Sequence, residues 1–210
     1  MRMLMILSCA ALLCSNSALA QAAKAAAAST NLTQFHSNIG GPVTTPWVDA
    51  VGLTIKNPGS QGLFVTFNAQ TINAVFSVQT VAFPIFLSST TSEFVGIQAR
   101  LLVDGVPVPY ATGPGLLSTV NVGLDSQFRS LSRVVGPPAT GIDFLALVTQ
   151  SGGNRSVTWI VPNTSNGDND VKVQVRFTSS TFNLPIPSTF DQVAALVGTK
   201  NLTVESVNLK

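Results

Sequence analysis

The segment VKVQVRFT (171–178) alternates apolar and polar residues without a break. Successive side chains of an extended chain point to opposite faces. Val171, Val173, Val175 and Phe177 therefore share one face, and Lys172, Gln174, Arg176 and Thr178 share the other. The same period of two recurs along the chain. Leu63, Val65, Phe67 and Ala69 fall together, as do Ile97, Ala99, Leu101 and Val103, and then Val157, Trp159 and Val161. In WVDAVGLTI (47–55), Trp47, Val51, Leu53 and Ile55 share a phase that also includes Asp49. The closing NLTVESVNL changes phase between Val204 and Val207, which predicts a bulge near Glu205 or Ser206.

Short one-faced strands separated by Gly, Pro and Asn clusters exclude a parallel α/β sheet, whose strands are apolar on both faces. They predict an all-β fold, an antiparallel β-sandwich of jelly-roll-like topology. At most one short helix is expected, near 189–198. There Ser188 or Thr189 can cap, Asp191 suits the first turn and Gly198 can stop the helix. A short strand is the alternative.

RLLVDGVPVP (100–109) reads as a hairpin. Asp104-Gly105 between Val103 and Val106 fits a two-residue type I′ turn. Pro107 and Pro109 then occupy positions whose N–H points away from the partner strand, so they predict a sheet edge.

The first residues carry a second kind of signal. Arg2 precedes an apolar run over 3–14, and Ala18-Leu19-Ala20 stands before Gln21. This is the pattern of a secretory signal peptide, 1–20, too short to span a membrane. Cleavage near Ala20 removes both cysteines, Cys9 and Cys14, unless one is retained and lipidated. The exported chain, secreted, periplasmic or at the cell surface, then has no disulfide and depends on its core. Residues 21–41 are expected to be a flexible Ala-rich tail and linker. Residues 42–210 are expected to be a single β-sandwich domain.

Charge narrows the function. The sequence holds 11 basic and 9 acidic side chains, and loss of Arg2 leaves 10 against 9. No basic run offers nucleic acid a footprint or anionic lipid a patch. Charged residues are 10% of the chain, well below the roughly 25% of ordinary globular proteins. Such a surface repels its copies weakly, which makes self-association an expectation.

Residue types for catalysis are scarce. His36, the single histidine, falls in the expected linker. A Ser-His-Asp arrangement would need it to fold back into the domain. One histidine and no retained cysteine exclude the usual zinc, haem and iron–sulfur sites. A glycosidase needs two paired carboxylates, and nothing in the sequence brings two of Asp49, Glu93, Asp104, Asp125, Asp143, Asp168, Asp170, Asp191 and Glu205 together. The candidate metal ligands are Asn163, Asn166, Asp168 and Asp170, in PNTSNGDNDV before a strong strand. Calcium takes such oxygens, but Asn-Gly and Asp-Asn are also ordinary turn formers. Trp159 is in phase with the core. Trp47 is ambiguous and Tyr110 ends a strand. TVAFPIFL (80–87) is an apolar loop or an oligomer contact. The sequons at Asn31, Asn154, Asn163 and Asn201 matter only in a host that glycosylates.

The order TTPWVDAVGLTIKNPGSQGLFVTFNA, RLLVDGVPV, DVKVQVRFTS and KNLTVESVNL resembles secreted bacterial jelly-roll proteins related in architecture to the C1q and tumour-necrosis-factor modules. It covers about 44–210. The chain departs from that pattern where no proline precedes Gly52 and where NDND replaces a histidine before VKVQV. The resemblance implies a sandwich, often a homotrimer, without known activity. Together these features predict a secreted non-enzymatic structural or surface-interaction protein that self-assembles. An extracellular carbohydrate- or calcium-binding adhesion module, with a surface glycan as partner, is the alternative, and a hydrolase with a carboxylate pair comes third.

Overall fold

A computed structural model describes residues 23–38, 43–57, 59, 61–82, 88–110, 119–134, 142–182 and 190–208. For 36–38, 74–82, 88–94, 127–134, 142–151, 180–182 and 190–193 it describes the backbone alone. All regular structure among these residues is strand, paired antiparallel. The signal-peptide expectation, its cysteines and residues 83–87 of the apolar run lie outside the described residues.

In the first sheet, β1 (Lys24–Ser29) and β2 (Thr33–Asn38) lie end to end along one side of β11 (Phe190–Val207). The sheet continues through β5 (Gly62–Ala82) to β9 (Ile142–Val161). In the second, β3 (Val43–Thr44) and β4 (Val48–Asn57) share one side of β10 (Gly167–Phe182). Beyond β10 lies β6 (Ser88–Val103), and its free side takes β7 (Val106–Val108) and β8 (Val122–Val134).

One rule generates this order. The first strands pair with the last, the second pair with the tenth strand, β5 with β9, and β6 with β8. The chain is thus a long hairpin, closed around 104–121, whose two arms are rolled into two sheets. That is the jelly-roll arrangement. The period-two phase then places the apolar face of each strand between the sheets. Leu63, Val65, Phe67, Trp159, Leu202 and Val204 from one sheet meet Ile97, Leu101, Val171, Val173, Val175 and Phe177 from the other, all at most 1% exposed.

The hairpin at 103–106 has the expected geometry. Asp104 and Gly105 take φ of 52° and 79°, as a type I′ turn requires. Val103 faces Val106 and Leu102 faces Pro107. Among the described residues β7 pairs only with β6, so the proline-protected side is an edge.

Four expectations are corrected. First, 21–41 is not simply a tail and linker: 24–29 and 33–38 are strands. Phe35 is buried and stacks on Phe177 of the opposite sheet at 6.3 Å. His36 accordingly lies in β2, opposite Ala194, and not in a linker. Low charge and many alanines read as disorder, but small side chains also pack closely along a sheet edge. Second, of the two readings of 189–198 the strand holds: 190–198 belongs to β11. Gln192–Val197 are paired on both sides, with β2 and β5, so two ladders satisfy a backbone that one helix would otherwise serve.

Third, the β11 bulge falls between Val197 and Lys200, not at Glu205 or Ser206. From Lys200 through Leu202, Val204 and Ser206 the inward phase is unbroken. Fourth, Asp49 does not share the face of Val51 and Ile55. A register shift against Val173/Gln174 leaves Ala50 unpaired and turns Trp47 and Asp49 outward.

Candidate interaction surfaces

The outer face of the second sheet is built by the polar phase of β6 and β10. Register puts Gln98 opposite Arg176 and Arg100 opposite Gln174. The glutamines hold both arginines: Arg100 Nε donates to Gln174 Oε1 and Arg176 Nε to Gln98 Oε1, each at 2.9 Å. Trp47, turned out by the Ala50 bulge, lies against both. Each guanidinium carbon is 4.5 Å from the centre of its ring, within cation–π range. Asp49 is already engaged, at 2.6 Å by the Gln174 amide and at 3.2 Å by Lys172. The Gln174 bond, supported by Lys172 against some desolvation, holds the Asp49 carboxyl below its ordinary value. Burial, with the charge of Arg100 beside it, lowers the pKa of Arg176. Among the described residues neither arginine has a carboxylate within ion-pair distance. Two positive charges are thus held in place without a counter-ion among the described side chains.

The other end of this face is acidic. The Asp104 carboxylate accepts from the Asp170 amide at 2.8 Å, and the Asp104 amide donates to the Asp170 carbonyl at 2.8 Å. The hairpin tip is thereby tied to the start of β10. The candidate calcium ligands lie here. Asp168 and Asp170 are exposed and alternate with Asn169, which is buried. Asn163, with φ of 54°, and Asn166 are exposed in the preceding loop. The turn is closed by Asn169, whose amide donates to the carbonyls of Ser165 and Gly167 and accepts from the Ser165 hydroxyl. Among the described residues no group of three or more His, Cys, Asp or Glu side chains is placed to hold a metal ion.

On the outer face of the first sheet the described charges beyond the groove are the exposed Lys24–Glu205 pair. Asn68 and Gln70 of β5, Asn154 and Ser156 of β9, and Asn201 beside the β11 bulge line an open groove of about 520 Å³, with Arg155 at one side. None of these five side chains makes a hydrogen bond within the described chain. Phe64, 37% exposed, continues the β5 row beyond the Thr66–Thr158 hydroxyl pair, and Ile160 faces it across the strands.

Between the sheets lies a polar cluster that the sequence reading missed. Asp125 of β8 is 5% exposed. One of its oxygens accepts from Thr71 Oγ1 at 3.0 Å and from Asn73 Nδ2 at 2.9 Å, and the other accepts from Arg155 Nη2 at 2.7 Å. The visible signal was a break in phase. Thr71 and Asn73 continue the inward row after Ala69, and Arg155 continues the row of Val157 and Trp159. The cluster joins β8 of one sheet to β5 and β9 of the other. With every Asp125 oxygen occupied by a structural donor, its chemistry is that of a cross-link.

Lys200 is a second buried charge, 1% exposed, in phase with Leu202. Its ammonium donates to the Asn31 carbonyl and, at 3.1 Å, to Thr33 Oγ1, which holds the corner between β1 and β2. Desolvation lowers its pKa. The folded state therefore gives up this proton before the unfolded chain does, and stability rises with pH between the lowered value and the ordinary lysine range. We expect urea midpoints followed across that alkaline window to rise for the wild type and to flatten in Lys200→Met.

Two aromatic expectations resolve. Trp159 is a core residue, 1% exposed. Tyr110 is half-buried and packs edge-on against it at 6.2 Å. No described helix is long and apolar enough to cross a membrane.

The strand order defines the class, a jelly-roll β-sandwich. No family model and no curated protein matches the chain. Several solved structures show slight likeness. A chain of the infectious bursal disease virus Gx strain structure is 10% identical, with 88% of this chain and 42% of that one aligned at a TM-score of 0.22. The VP2 subviral particle of the same virus is 8% identical, over 88% and 41%, at 0.16. The parasporin-2 toxin of Bacillus thuringiensis is 12% identical, over 84% and 74%, at 0.17. The chain spans about two-fifths of the viral chains. TM-scores this low bear on neither fold nor function, and the fold rests on the strand order itself.

Proposed function

We propose that this is an exported, non-enzymatic surface-interaction protein that associates with itself. The observation that carries the reading is the arginine pair on Trp47, a charged platform on an outer sheet face, held by Gln98 and Gln174 and without a carboxylate partner among the described residues. Three of the described carboxylates are tied into the structure. Asp125 is held by three donors, Asp49 by Gln174 and Lys172, and Asp104 by a backbone amide. A general acid or base must be able to reach a reacting atom, and these groups are engaged in holding strands together. Light scattering on the purified protein tests the reading. A concentration-dependent rise in mass above one chain is expected, and a monomer at high concentration overturns it.

A second reading, an extracellular carbohydrate-binding module, is favoured by the groove over β5. Free amides and hydroxyls match sugar hydroxyls, and Phe64 offers a ring for stacking. The expected result is glycan-array signal that Asn68→Ala/Gln70→Ala removes. Calcium at Asn163, Asn166, Asp168 and Asp170 belongs to the same reading, and a calcium-dependent rise in melting temperature would support it.

A further inference from the structure

We propose that the outer face of the second sheet is a two-fold dimer interface, in which the arginine pair of one copy meets the acidic tip of another. The inference rests on the self-association just proposed and names its contact.

Its basis is the charge order along β10. Outward positions run Asp168, Asp170, Lys172, Gln174, Arg176. The acidic end and the basic end are equidistant from Lys172, four positions on either side. The neighbouring β6 repeats the pattern. Arg100 is level with Gln174, and Asp104 is bonded to Asp170. Both lie two positions from the level of Lys172.

A two-fold axis lying in the interface, across the strands at Lys172, turns a second copy over onto this face with β10 antiparallel to β10. It brings Arg176 over Asp168 of the second copy and Arg100 over its Asp104. The same two contacts then form again in the opposite sense, as an isologous interface demands. Lys56, which faces Asp168 across β4, falls over Trp47 of the second copy, whose ring accepts a cation. At the axis Lys172 meets its own copy, flanked by the uncharged Gly52 and Leu102 at the same level, and there Asp49 accompanies it at 3.2 Å.

The interface is thus self-complementary in charge, and each copy supplies both halves. Planar guanidiniums suit carboxylates. Gln98, Gln174 and Trp47 restrain the arginines in advance, so little side-chain freedom remains to be lost on association. Exposed ion pairs are screened by salt. The dimer is therefore salt-sensitive, and its specificity lies in the pairing.

Sedimentation equilibrium on the wild type, Arg176→Glu, Asp168→Lys and an equimolar mixture of the two variants tests the pairing. At low ionic strength the wild type is expected to dimerise, and 0.5 M salt to dissociate it. Each variant alone should weaken the dimer about tenfold or more. The mixture should restore it, because Glu faces Lys once and the native Arg176–Asp168 pair forms once. Lys172→Gln should leave the dimer intact or tighten it. Thermal melts establish that each variant is folded. Asp168 is exposed, so Asp168→Lys tests the same contact should Arg176→Glu not fold. A wild-type oligomer indifferent to both reversals overturns this interface and leaves self-association standing. A wild-type monomer overturns both.

Discussion

Replacing Asp125 with alanine is expected to lower the unfolding free energy by about 3–5 kcal/mol, the range for breaking a buried, hydrogen-bonded charge pair by removing one member. The loss is not chiefly the ion pair, because the Arg155 side chain is 42% exposed and water already screens it. The larger part comes from Asn73 and Thr71, both 0% exposed: the Asn73 amide would lose its acceptor, and the Thr71 hydroxyl would keep only the Gly153 carbonyl at 3.4 Å. The cluster already contains two buried atoms without partners, Asn73 Oδ1 and Arg155 Nε, so little slack is available to absorb a third. Asp125→Asn should fall between wild type and alanine, since an amide oxygen can still accept from one side while its NH₂ meets donors on the other. The double variant Asp125→Ala/Arg155→Met should cost less than the sum of the single changes, because it removes the stranded cation as well. Chemical denaturation of the wild type, Asp125→Ala, Asp125→Asn, Arg155→Met and the double variant measures all of these terms. Strict additivity would show that Asp125 and Arg155 do not act as a unit.

Trp159→Ala is the other large effect, about 3–5 kcal/mol for deleting a buried aromatic. In a chain of this size that corresponds to a drop on the order of 10 °C in melting temperature. Trp159 is the largest fully buried side chain and has lost nearly all contact with water. It also takes the edge of Tyr110 where the chain leaves β7, so the cavity would open beside the Tyr110–Thr119 bridge. Trp159→Phe makes the sharper test. Its indole N–H is buried and has no acceptor, so the indole carries a polar atom that phenylalanine lacks. The smaller ring keeps most of the buried aromatic surface and leaves a smaller cavity than alanine, so Trp159→Phe should cost less than Trp159→Ala. A phenylalanine variant as unstable as the alanine one would mean that shape, not burial, dominates at this position.

The inward rows of β5, β6, β9 and β10 were legible because alternation is a local property. Leu63 to Ala69, Ile97 to Val103, Val157 to Val161 and Val171 to Phe177 are buried where the phase put them. The Asp104-Gly105 turn was legible for the same reason, since two adjacent residues suffice to specify it. The Asp125 cluster was not. Its members lie 30, 52 and 54 residues apart and come from both sheets. A single strand showed only that polar residues had entered an apolar row. The arginine platform was hidden in a different way. It depends on the cross-strand pairing of β6 with β10 and on a bulge that moves Trp47 and Asp49 to the outer face. A bulge changes face by one residue and leaves little mark on composition.

What the sequence by itself determined is the set of strands in the middle of the chain, the face each buries, the tight turn at Asp104-Gly105 and the scarcity of catalytic residue types. What only the tertiary structure decided is which strand each one joins. Pairing the first strands with the last makes 24–29 and 33–38 part of the sandwich, and double pairing keeps 190–198 extended. The same strand order brings Asp125 to Arg155 and sets the arginines of β6 and β10 beneath Trp47. The physical reason is that alternation follows from the geometry of one extended chain, whereas the choice of partner is made by burial and by ladders whose two halves lie far apart in sequence.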